Sequence, residues 1–318
     1  MASVQTTAGA LDPGDLGRTL IHEHFRGRDE AATLQWPHLH DDEAEDQMAL
    51  DAARSVIEHG VKTVADPAPM YLGRDAELFQ RITRETGLQI VACTGIYSYD
   101  YLPHFFANRD ADFMADCFVH DIEQGIQGTD LHAAFLKCAA DEPGVTENVE
   151  KIHRAAARAS VRTGAPIMAH SHPASNTGPR QIEIFEEEGV DLAKVQIAHT
   201  GDTDDLDYIQ GLLDKGVYIG MDRFGLELFL PMENRNRTVI ELLGRGYAEQ
   251  MMLSQDYVVA LDWYPDETVE QLLAAGMVKD WSMTLLFEQV IPALNEQGMT
   301  DEQLDTMLVS NPARWLSG

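Results

Sequence analysis

The stretch TGAPIMAHSH (163–172) holds one full period of the chain's design: a glycine able to end a helix in the left-handed conformation, a short apolar run, and a histidine where that run stops. The same order returns along the sequence. Amphipathic segments close at Gly60, Gly87, Gly164 and Gly216, and a β-rich run follows each directly or within a residue or two: VKTVAD (61–66), LQIVACTG (88–95), PIMAH (166–170) and VYIGMD (217–222). RTLIHEH (18–24), AAFLK (133–137), KVQIAH (194–199) and MMLSQD (251–256) bring the runs to eight. Eight strands alternating with helices predict an α/β fold closed as a TIM (β/α)8 barrel. An open doubly wound sheet usually carries a Gly-rich phosphate loop, and neither GxGxxG nor GxxxxGK[ST] occurs. No Pro/Gly/Ser linker or tandem repeat interrupts the pattern, so residues 1–318 are expected to form one barrel domain.

Composition narrows the partners. Lys and Arg number 23 against 53 Asp and Glu, a net charge of −30 that repels nucleic acid and anionic membranes. The three cysteines, Cys93, Cys117 and Cys138, have no CxxC spacing, which argues against a disulfide framework or a zinc ribbon and fits a reducing compartment. No basic segment followed by an apolar core opens the chain, and no run approaches the roughly 18 apolar residues of a membrane span. A cytoplasmic protein with no membrane partner is the expectation.

In a parallel barrel the chemistry sits at the C-terminal ends of the strands, so polar residues that terminate apolar runs are the candidates. His22 and His24 lie two apart and on a strand project to one side, with Glu23 away from them. An HxH pair alone is as often structural as metal-binding. Lys137 ends AAFLK, where an ammonium inside a barrel is costly unless paired. Its ordinary reading is a buried ion pair. The sharper one is an uncharged amine that adds CO2 to become a carbamate bridging two metals. His170, His199 and Asp256 close three further runs, and imidazole with carboxylate suits Zn, Co, Mn or Fe. The remaining histidines read as surface or packing residues. His172 is the one competitor, and the turn-like PASNTG after it favours a loop.

With these residues in view, the chain resembles the phosphotriesterase family of the amidohydrolase superfamily, and within it the phosphotriesterase-like lactonases. The resemblance runs through LGRTLIHEH (16–24), WPHL (36–39), LGRD (72–75), CTGIY (93–97), LKCAADEPG (136–144), TGAPIMAHSH (163–172), AHTGDTDDLDYI (198–209), IGMDRFGLELFLP (219–231), LSQDY (253–257) and NPARW (311–315). It implies two divalent metal ions per chain. His22, His24 and Asp256 would hold the more buried one, His170 and His199 the more exposed one, with carboxylated Lys137 and a hydroxide bridging them. Asp256 would also relay a proton. The resemblance points to Tyr97 as a contact to the bridging solvent or substrate oxygen and to Arg223 as the residue orienting the seventh loop. On residues alone, Tyr97 is equally a strand aromatic and Arg223 a salt-bridged loop residue.

Similar lactonases line an acyl channel beyond the eighth strand, where Trp263 and Tyr264 lie here. LELFLP (226–231) and DWYPDE (262–267) are apolar and aromatic enough for a fatty-acyl tail, so the expected substrate is an N-acyl-homoserine or other acylated γ/δ-lactone, with incidental organophosphate hydrolysis. The expected pocket is Tyr97, Tyr99, Arg223, Leu226 and Trp263. A dedicated phosphotriesterase or other esterase is the alternative, and a silent barrel that only binds is a third. The same apolar loops also suit a homodimer contact, which the resemblance implies. One departure stands out: Gln255 precedes Asp256 where many of these lactonases carry His, which puts a supporting hydrogen bond in question.

Overall fold

The computed structural model describes residues 3–318. A small antiparallel hairpin, β1 (Val4–Thr6) and β2 (Gly9–Leu11), precedes eight parallel strands. These are β3 (Arg18–Leu20), β4 (Val61–Asp66), β5 (Gln89–Gly95), β6 (Phe135–Ala139), β7 (Ile167–His170), β8 (Val195–Ala198), β9 (Tyr218–Met221) and β10 (Met251–Leu253), each beside its neighbour in sequence. All eight expected runs form strands. The last seam, between β10 and β3, is joined beyond the strand ends: Asp256 N donates to His22 O (3.1 Å), His24 N to Tyr257 O (2.8 Å) and Val259 N to His24 O (2.9 Å). The segments that close the barrel are therefore the ones that carry His22, His24 and Asp256. RTLIHEH is strand only to Leu20, and its two histidines sit on the rim above.

Alternation along each strand divides the core. On β6, Leu136 and Cys138 face the surrounding helices, while Phe135 packs inside the barrel with Val91, Cys93, Met168 and Ala198. The floor is sealed by both ends of the chain. Val4 and Leu16 from the hairpin region meet Trp315 and Leu316 from the last helix (Asn311–Leu316), all buried. Trp315 Nε1 donates to Lys194 O at 3.0 Å, and Asn311 Nδ2 donates to Ala248 O and Met251 O at 2.7 Å each. The NPARW motif thus works as the plug.

The helix Glu147–Thr163 shows why the connecting segments read clearly. Thr146 caps it by accepting from Val149 N, Glu147 and Glu150 stand at its positive end, and Arg162 stands at its negative end. Val149, Ile152, Ala156, Ala159 and Ser160 recur at helical spacing on its buried face. Gly164 caps it with φ +82°, and Gly87 does the same for Ala76–Thr86 with φ +83°. Gly60 and Gly216 also adopt positive φ, but just beyond caps formed by His59 and Asp214. Gly95 is required for another reason: with φ +139°, a Cβ there would lie 1.9 Å from Lys137 O, so only glycine lets β5 approach β6 at that point. Among the described residues, no helix is long and apolar enough to cross a membrane.

Candidate metal centre

Six side chains from five strands, His22 and His24 sharing one, converge at the top of the barrel. His22, His24, Lys137, His170 and His199 are all within 3 % of complete burial, and Asp256 is 9 % exposed. The His170 and His199 ring centroids are 4.4 Å apart, His22 and His199 4.8 Å, and His22 and His24 5.5 Å. His22, His199 and Asp256 each offer one ligand atom, and these atoms lie within 4.8 Å of one another. Asp256 Oδ1 stands 3.3 Å from His22 Nε2 and 3.2 Å from His24 Nε2. His199 and Asp256 both take left-handed φ, +61° and +52°, a conformation non-glycine residues adopt only where the surroundings impose it.

Carboxylates behind the imidazoles impose it. Asp222 lies between two of them: His22 Nδ1 and His199 Nδ1 each stand 3.0 Å from its oxygens, and His199 N donates to it at 2.8 Å. Asp66 sits 3.3 Å from His24 Nδ1 and accepts from Phe25 N at 2.9 Å. Such pairs fix the ring tautomer and turn the opposite nitrogen inward, the usual support of a histidine that binds a metal. His170 is placed differently, with Nε2 2.5 Å from Asp141 Oδ2 and Nδ1 3.2 Å from the Tyr97 hydroxyl. Buried Glu23 accepts from Ser254 Oγ, Gln255 N and Tyr257 N at 2.8–3.0 Å, which clamps the segment carrying Asp256.

Sequence reasoning missed Asp66, Asp141, Asp222 and Glu23. Asp66 and Asp222 had a visible signal, because they end VKTVAD and VYIGMD as Asp256 ends MMLSQD. Glu23 was read only as the residue turned away from the pair.

Charge is distributed to suit metal binding. Burial, helped by Lys137, lowers His22 to about 4, and burial lowers His170 to about 4 against the pull of Asp141. Both imidazoles are neutral donors at pH 7. Burial disfavours charge on His24 too, but Asp256 and Asp66 outweigh it and hold that group up at about 9. Burial brings the Lys137 ammonium down to about 8. Its Nζ meets His22 Nε2 at 3.2 Å and Met168 Sδ at 3.5 Å, with no carboxylate among its hydrogen-bond partners. Asp256 and Asp222 pull the ammonium up through space against burial, but among the described residues neither forms a salt bridge with it. A buried amine facing imidazoles, with three carboxylates behind those rings, fits a divalent metal site.

Around this centre, Arg223 Nε donates to Asp256 Oδ2 at 2.8 Å and Nη1 to Asp202 Oδ2 at 2.9 Å, while the guanidinium lies 4.5 Å from the centre of the Phe229 ring. It thus holds Asp256 directly, beyond ordering its own loop. Tyr97 and Tyr99 share a 2.6 Å hydroxyl contact, and Trp263 packs 5.6 Å from the Tyr97 ring. A cleft of about 890 Å³ opens there, lined by Tyr97, Tyr99 and Trp263. Leu226 and Arg223 do not line it. Leu226 is buried at 7 %, its carbonyl accepting from Phe229 N and Arg235, and the exposed apolar residues of its loop are Leu228 and Phe229. Gln255 compensates for the missing histidine in its own way, since its amide bonds Met283 O (2.6 Å) and Leu286 N (2.9 Å) and ties the rim to the last helices. His172 bonds Ser175 Oγ in a short turn, as the PASNTG reading expects.

The phosphotriesterase family model matches residues 2–316. The chain is 45 % identical over 308 residues to an aryldialkylphosphatase of Saccharolobus solfataricus, covering 97 % of each protein. It is 41 % identical over 324 residues to a phosphotriesterase homology protein of Mycobacterium tuberculosis, covering 99 % of this chain and 97 % of that one. A solved structure of the phosphotriesterase from Mycobacterium tuberculosis superposes with a TM-score of 0.92 at 39 % identity, over 99 % of this chain and 98 % of that one. The eight-stranded barrel and its buried His/His/Asp group are those of a metal-dependent hydrolase, and the chain belongs to the phosphotriesterase family.

Proposed function

We propose that the protein hydrolyses acylated lactones, N-acyl-homoserine lactones and other γ/δ-lactones among them, and cleaves organophosphate triesters as a side activity. The observation that carries this reading is the aromatic cleft that meets the centre at Tyr97, with room for an acyl chain whose carbonyl would face the imidazoles. In this reading His22, His24 and Asp256 would hold one divalent ion and His170 and His199 a second, with Lys137, carboxylated by CO2, as a further ligand. The donor set suits Zn, Co, Mn or Fe. When bound, such a pair supplies Lewis acidity toward the carbonyl or phosphoryl oxygen and brings the ionisation of water toward neutral pH.

The chain's own residues supply the rest. Asp256 is kept ionised well below the usual carboxylate range, because the ring of imidazoles around it (His22, His199 and the hydrogen-bonded His24) and the Arg223 guanidinium outweigh its burial. It accepts the proton of the attacking water and returns it to the ring oxygen as the C–O bond breaks, giving a hydroxy acid. Burial keeps the Tyr97 phenol protonated, so it remains a donor for the substrate oxygen. Metal analysis together with a panel of lactones of varied ring size and chain length tests the reading: two metals per chain and turnover are expected. Fully metallated protein that leaves every lactone intact sinks it. The 45 % identity to an aryldialkylphosphatase favours a dedicated phosphotriesterase as the second reading, and kcat/KM for an acyl-homoserine lactone against an aryl dialkyl phosphate separates the two. The same reading takes the protein as a homodimer paired near the exposed Leu228 and Phe229, which light scattering checks.

A further inference from the structure

The cleft has two unlike ends. At the inner end Tyr97 is 9 % exposed and touches His170, with Trp263 packed on it. At the outer end Tyr101 and Tyr264 are 60 % and 51 % exposed, and the Tyr71 and Tyr101 rings stand 5.8 Å apart beside Asp29. The charged residues that line it are equally one-sided. Asp29, Glu45, Asp262 and Asp266 are acidic, and among the described residues no Lys or Arg lines the cleft. Glu45 is salt-bridged from behind by Arg26 and Arg28, which also hold Asp42, Asp46 and Asp75, and Asp29, Asp262 and Asp266 are the lining carboxylates without an Arg or Lys salt bridge among the described residues. Asp29 spends one oxygen capping Ala32 N, and His40 lies 3.7 Å from Asp262.

We infer that this cleft sorts acyl tails by the charge at their far end, admitting uncharged and ammonium-terminated tails and excluding carboxylate-terminated ones. The inference rests on the hydrolase reading above, because that reading seats the ester at the inner end and sends the tail outward. A terminal carboxylate would then stand among three like charges in a partly desolvated space. A terminal ammonium would meet those carboxylates together with the faces of Tyr71, Tyr101 and Tyr264, the combination that holds ammonium ions elsewhere.

The test is a set of acyl lactones of equal length ending in methyl, carboxylate or trimethylammonium, with aryl esters bearing the same three tails. The wild-type holoenzyme should turn over the carboxylate-tailed members with kcat/KM lower than the methyl-tailed ones by roughly tenfold or more, and raised salt should narrow that ratio. Asp266→Lys, at an exposed site, should narrow it at low salt. In calorimetry, hexyltrimethylammonium should bind wild type several-fold more tightly than Asp266→Lys and than Asp262→Asn. Equal rates for the three tails in both series, or equal hexyltrimethylammonium affinity in all three proteins, would overturn the inference. Loss of lactone turnover with the charge ratio intact on the aryl esters would remove the lactonase reading and leave the charge selection standing.

Discussion

The two ends of the barrel are built from the same strands by opposite means. At the floor, interior positions such as Val91, Phe135 and Met168 are apolar and are sealed by Trp315, so burial itself supplies the cohesion. Two residues beyond Phe135 and Met168 stand Lys137 and His170, and with them the other imidazoles and Asp256 lie where water is excluded. That end is held by paired carboxylates, each fixing a ring that a second group also touches. The difference teaches that the floor tolerates loss of function-neutral packing only at the expense of stability, whereas the rim trades stability for chemistry.

The sharpest break of that contrast is at Asp256. Asp256→Asn keeps the shape but removes the carboxylate, and kcat on the best lactone should fall by about 10²–10⁴-fold. Unchanged melting with lost turnover is the expected pair of results. Trp315→Ala should do the reverse: about 3–5 kcal/mol of stability lost in urea unfolding, with kcat per folded molecule little altered. A strong fall in kcat there would show that the floor shapes the rim after all.

Asp222→Asn sharpens the comparison from the rim side. Two imidazoles lean on that one carboxylate, so metal affinity measured against a competing chelator should weaken by about 10–100-fold. An unaltered affinity would mean that the rings are oriented by packing alone. Proton release gives a milder reading. His24, held at about 9, and Lys137, at about 8, are partly or largely protonated at pH 7.5, so adding Zn to chelator-treated protein in weak buffer should release protons, fewer as the pH is raised toward 9. Trp263→Ala should have the smallest effect, roughly a tenfold loss in kcat/KM for long acyl chains and less for short ones.

How much of this was legible in the sequence follows from what each feature depends on. The eight strands were legible because each is a local apolar run, and the cap at Gly164 was legible because a helix end needs a left-handed residue. The six converging side chains were legible because they stand at the ends of five apolar runs, His22 and His24 sharing one. The support behind them was not. Asp222 matters because β9 lies beside β8, with Ile197 paired to Ile219, which brings its carboxylate to both His199 and, across the barrel, His22. Leu226 misled because an apolar residue in an apolar loop carries no mark of which way it faces, and here it turns inward while Leu228 and Phe229 turn out.

Hydrophobic periodicity and residue chemistry, read along one line, were enough for the barrel and its polar strand ends. Closure of the sheet was needed for the rim segments of His22, His24 and Asp256 to join the seam, for Arg223 to grip Asp256, and for Glu45 to be salt-bridged while Asp29, Asp262 and Asp266 line the cleft. Those outcomes rest on distances between residues far apart in the chain, and such distances exist only once the sheet has closed.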